Sequence, residues 1–146
     1  MIVGIFALLI SIGTFWFSIK TIRLYYKVKN WDRIEAKVIS KEVFVHEKTS
    51  ISRSPYGIKA QYEFTIGNTN YTGTRIYLVE LMGGQTNHMK EQAETKLNEI
   101  KDKITVYVNR DNPYESVMFC EGIGLYYVAF SLGVLALLIG LVNIFK

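Results

Sequence analysis

Cysteine is almost missing from this 146-residue chain: Cys120 stands alone. No intramolecular disulfide can form, and a paired-cysteine metal site is excluded. Cys120 itself reads as a small apolar residue at a membrane boundary. Histidine is nearly as scarce, with only His46 and His88. They fall in different predicted elements, without Cys or carboxylate at ligand spacing, so both read as exposed polar residues. The two prolines, Pro55 and Pro113, fall in predicted loops. The Gly83–Gly84 pair lacks the Lys-Ser/Thr of a P-loop, and neither a nucleophile elbow nor a HExxH helix occurs. Glu63, Glu80 and Glu91 show no pairing along the sequence. No catalytic residue, metal site or cofactor is expected, and the chain reads as a non-enzyme.

Charge is missing from two long stretches. Met1–Ile19 and Gly122–Phe145 contain no Asp, Glu, Lys or Arg. Each is close to the ~20 apolar residues that cross a bilayer core. All 13 acidic residues and all but one of the 17 basic ones lie between them. The predicted organisation is a membrane helix with a basic juxtamembrane segment over 1–28, a small β-rich domain over 31–120, and a second membrane helix over 122–145. Met1–Ile19 lacks a basic start and runs into the aromatic, basic "TFWFSIKTIRLYYK", so it reads as a retained helix rather than a cleaved signal.

Small residues recur on one face of each block, at Gly4, Ala7, Ser11, Thr14 and Ser18, and at Ala129, Gly133, Ala136 and Gly140. In lipid, helices associate where small residues let backbones approach. The two faces predict a helical hairpin within one chain, with pairing between chains, and so a homo-oligomer, as the alternative. Trp16, Phe17, Tyr25, Tyr26, Tyr126 and Tyr127 lie at interface levels. Lys20, Arg23, Lys27 and Lys29 follow the first helix, which by the positive-inside rule puts the middle domain in the cytoplasm and both termini outside. Lys146 argues mildly the other way. The same four cations are candidate contacts for anionic lipid headgroups.

In the middle domain, Ile34–His46 reads as a long strand whose alternation slips near Ser40–Glu42, a bulge signature. Lys48–Gly57 reads as a loop. Ile58–Ile66 alternates cleanly, Gly67–Asn70 is a turn, and Tyr71–Glu80 reads as the returning strand of a hairpin. Leu81–Asn87 is a loop. A short amphipathic helix follows Asn87 as N-cap, with Met89, Ala93, Leu97 and Ile100 on its apolar face. Lys103–Arg110 is a strand, "DNPYES" a turn, and Val117–Cys120 a last short strand. The fold class is therefore a membrane protein of α+β type: a two-helix transmembrane hairpin flanking a small, mainly antiparallel β-domain with one short helix. Tyr71, Arg75 and Tyr77, on the hairpin, are candidate partner contacts, since Tyr and Arg suit binding hot spots. The segment's aromatics alternate as strand residues and its net charge is small, so no nucleic-acid partner is expected.

Trp31, the Ala36–Val38 strand, Tyr62–Phe64, Tyr71–Gly73 and "ITVYVNRDNPYESVM" together resemble the bacterial family called domain of unknown function 3592. Val106, Val108, Asn112, Pro113, Ser116 and Met118 carry its closing segment. Arg110 departs from the family, where Pro is usual, as does Lys101, where Gly often stands. The resemblance implies a membrane-tethered β-domain without known catalysis. By analogy with other small two-helix bacterial membrane proteins, the expected role is protein–protein interaction in the inner membrane, in its sharpest form as an immunity protein with a toxin partner. The alternative is a structural or anionic-lipid-binding envelope module.

Overall fold

A computed structural model describes residues 2–45, 56–120 and 122–144. His46 and most of the Lys48–Gly57 loop lie outside the described residues. The chain divides into two compact units, one formed by Met1–Lys27 with Gly122–Lys146 and the other by Val28–Glu121.

The first unit holds two long apolar helices, α1 (Ile2–Lys29) and α3 (Ile123–Ile144). They pair in opposite directions. Ser11 Oγ donates to the Gly133 carbonyl at 3.0 Å, Phe15 meets Phe130 edge-on, and Tyr26 and Tyr127 share a hydroxyl–hydroxyl hydrogen bond of 2.9 Å. Gly4, Ser11, Ser18, Gly133 and Gly140 are buried, while Ala7, Thr14, Ala129 and Ala136 are half-buried. A side chain at Gly140 would touch Leu8 and the Gly4 carbonyl. The small-residue stripes thus face each other, and Phe6, Leu9, Leu132 and Leu138 point outward. Ser11→Trp should cost the helix pair about 2 kcal/mol or more through overpacking, and Leu9→Trp almost nothing; thermal loss of helicity in micelles reads the difference.

The second unit is a five-stranded antiparallel sheet in the order β3-β2-β1-β4-β5. Its strands are β1 (Asp32–Val45), β2 (Tyr56–Ile66), β3 (Thr69–Gly73), β4 (Lys103–Val108) and β5 (Ser116–Val117). β2 follows its sequence pattern: Ile58, Ala60, Tyr62 and Phe64 are buried and the residues between them exposed. The bulge in β1 falls between Val38 and Ser40, one position before the predicted slip. It bends the strand, so that Asp32–Lys37 pair with β4 while Ser40–Val45 pair only with β2.

The predicted strand Tyr71–Glu80 is shorter than expected. It leaves β2 after Gly73, and Leu78–Met82 forms a 3-10 helix. The burial phase explains the break. Gly73 is buried, and so are Ile76 and Leu78; that change of parity cannot occur in a continuous strand. The Glu80 carboxylate accepts from the Ile76 N–H at 2.7 Å and turns the chain back. The segment it leaves reaches the other edge of the sheet. Met118 N–H donates to the Arg75 carbonyl and Phe119 N–H to the Ile76 carbonyl, with Tyr77 bridging Phe119 in parallel. The sheet therefore curls until its edges meet. With an odd number of alternating strands, the closing pair has to be parallel, as observed.

Helix α2 (Lys90–Glu99) starts later than the Asn87 cap predicts. The His88 backbone is held in an antiparallel bridge to Tyr56, so the helix cannot begin there. Met89 takes the N-cap position, its N–H held by the Gln92 side chain. Ala93, Leu97 and Ile100 pack into the core as predicted; Met89 is exposed, because it precedes the first turn. Lys41 donates to the Ile100 carbonyl at the end of the helix, a cation where the helix dipole favours one.

Candidate functional site

The corner between β4 and β5 is built from two successive turns. Asn112 N–H donates to the Asn109 carbonyl at 3.1 Å and Glu115 N–H to the Asn112 carbonyl at 2.9 Å. The Asn109 N–H closes the corner on the Glu115 carbonyl at 2.9 Å. Asn109 is buried, and its side chain spans the corner. Nδ2 donates to Glu115 Oε2 at 2.8 Å, and Oδ1 accepts from the Asp111 N–H at 3.1 Å. Pro113 occupies the second position of the second turn, where its fixed φ fits. Asn109→Ala should therefore destabilise the β-domain by about 2 kcal/mol, and Pro113→Ala by under about 1 kcal/mol; chemical denaturation separates the two.

The corner holds Tyr114 out from the domain at 76% exposure. Its ring meets Tyr71 edge-on, with centroids 5.6 Å apart. Tyr71 stacks in turn on Phe64, and Phe64 on Tyr62. A row of rings thus runs from the core to the surface. Arg75 Nη1 reaches the Tyr114 carbonyl at 3.5 Å. Tyr71, Arg75 and Tyr114 form one aromatic–arginine patch backed by a rigid turn and a packed core.

Of the predicted partner contacts, the structure brings Tyr71 and Arg75 together and leaves Tyr77 elsewhere. Tyr77 lies past the end of the hairpin and packs beside Phe119 and His88. Tyr71 and Tyr77 are both half-buried against the core. Tyr114 is the residue sequence reading misses. Its signal is the Asn-Pro-Tyr run, which puts a large ring at the tip of a turn. His88 differs from the exposed residue predicted: it is half-buried, its Nε2 has no hydrogen-bond partner among the described residues, and burial lowers its pKa, favouring the neutral ring. Cys120 is buried, and burial raises its thiol pKa.

On α1, Lys20, Arg23, Lys27 and Lys29 are all exposed. The first three share one helix face with Trp16, at spacings of three and four; Lys29 ends the helix. Among the described residues, no three His, Cys, Asp or Glu side chains gather to hold a metal.

A family model described as "Domain of unknown function (DUF3592)" matches residues 34–120, from β1 through the β5 region. Comparison with curated proteins gives no significant match.

Proposed function

The chain belongs to the DUF3592 family, and from that premise we propose that it is a membrane-anchored, non-enzymatic binding module. In this reading α1 and α3 cross the bilayer as a hairpin, and the β-domain meets a partner protein through Tyr71, Arg75 and Tyr114. The patch carries the proposal. A Tyr ring held out on a double turn, beside an Arg and backed by stacked rings, supplies contact area at low entropic cost.

Anchoring is supported by the candidate spans, with mean hydropathies of 1.8 and 1.9. It is supported too by the outward apolar side chains of the helix pair, which lipid accommodates and water does not. The location is the bacterial inner membrane, with the β-domain on the cytoplasmic side, following the basic end of α1. The sharpest form is an immunity protein that binds a membrane-acting toxin. Tyr114→Ser should then weaken recovery of the product of the adjacent gene from detergent extracts by about 10-fold or more. Unchanged recovery with an intact fold removes the patch from the account.

The exposed face formed by Trp16, Lys20, Arg23 and Lys27 favours a second reading, contact with anionic headgroups. Replacing the cations with Gln should lower binding to phosphatidylserine vesicles relative to neutral ones; equal binding ends that reading.

A further inference from the structure

The β-domain carries a groove of about 520 Å³ that shares no lining residue with the aromatic patch. Its floor is one face of the β1–β2 ribbon beyond the bulge, where Ser40 faces Gln61 and Glu42 faces Lys59. Glu80 and the loop carrying Gln85 also line it. We propose that this groove takes the cationic side chain, guanidinium or ammonium, of an extended ligand, with the Glu80 carboxylate as its anchor.

The charges favour a cation. Glu42 and Lys59 are direct cross-strand partners, so they offset each other. Lys59 is held over the Phe44 ring, 4.4 Å from its centroid. Among the described lining residues, Glu80 then leaves one negative charge in excess. Arg75 offsets part of it from outside the lining, but its guanidinium is directed to the Tyr114 carbonyl. The backbone N–H of Ile76 already bonds the Glu80 carboxylate. A carboxylate offers about four lone-pair sites, so room remains for a bound cation. Burial raises the Glu80 pKa, the mark of a carboxylate short of solvation. A charge-assisted pair with a ligand cation would supply what is missing. The volume falls within the ~300–1,000 Å³ of ordinary ligand sites, and Gln61 and Gln85 in its lining offer amides to an attached backbone.

The test uses the full chain, isotope-labelled in detergent micelles and titrated with Nα-acetyl-arginine amide. The uncharged Nα-acetyl-citrulline amide, of the same shape, is the control. The proposal expects saturable shifts at the Gln61 and Gln85 amides, with arginine binding about 10-fold more tightly than citrulline. Glu80→Gln should abolish the preference, and Ser40→Trp, which fills the groove from its exposed floor, should abolish binding. Equal affinities, shifts that fail to saturate, or a preference surviving Glu80→Gln overturn it. Should Glu80→Gln fail to fold, because the carboxylate holds the Ile76 turn, the arginine–citrulline comparison on the unaltered chain and the Ser40→Trp result decide.

Discussion

Gly73→Ala should destabilise the β-domain by about 3 kcal/mol, at the upper end of what overpacking costs. A Cβ there would lie 2.4 Å from the Tyr62 ring and 2.5 Å from Ser116 Oγ. Neither neighbour can move freely: Tyr62 and Ser116 are buried and hydrogen-bonded to each other at 3.0 Å. Gly73 also sits where β3 ends and the chain leaves for the opposite edge, so displacement there loosens the closure of the sheet. Gly67→Ala is the control. Its φ of +60° faces open space, and the left-handed conformation alone costs about 1–2 kcal/mol. In thermal unfolding, Gly73→Ala should melt roughly 12 °C or more below the unaltered protein.

Tyr62→Ala should cost about 3–5 kcal/mol, and Tyr62→Phe about 1–2 kcal/mol. The larger loss reflects a fully buried ring at the centre of the core. The smaller one isolates the hydroxyl, which donates to the Arg75 carbonyl at 3.1 Å and bonds Ser116. Tyr62 thus ties β2 to both segments that close the sheet. Tyr62→Phe should speed amide exchange at Met118 and Phe119 while leaving Val106 protected. Burial pushes the Tyr62 hydroxyl from 10.0 up to about 12. The native state therefore holds this proton longer than the unfolded chain does. Its contribution to stability is complete below about pH 10 and is lost as pH rises toward 12. Tyr62→Phe should remove that part of the alkaline decline.

Local features of the domain are legible in the sequence, and distant contacts are not. β2 could be read residue by residue because one of its faces is buried and the other wet. The bulge in β1 showed as a phase slip, since a single extra residue reverses every later side chain. The break after Gly73 was harder to read, because Thr, Ile, Tyr and Val all suit a strand. Only the burial parity of Ile76 and Leu78, set by the opposite edge of the sheet, reveals it. Asn87 has the chemistry of a cap, but the tertiary bridge between Tyr56 and His88 outweighs it. Tyr71 and Arg75 could be picked by residue type; their joining with Tyr114 depends on closure of the sheet and leaves no periodic trace. Asn109 shows the same limit: its neighbour Pro113 looks like the stiffening residue, while the hydrogen bonds converge on Asn109.

Site-specific photo-crosslinking from position 114, in membranes of cells making the full chain, tests the binding module most directly. The control position is Asn68, exposed at the β2–β3 turn. A binding module gives one discrete adduct from position 114, absent from position 68, and lost when Tyr71→Ser is added to a chain that still folds. Equal labelling from both positions, or an adduct indifferent to Tyr71, would contradict it.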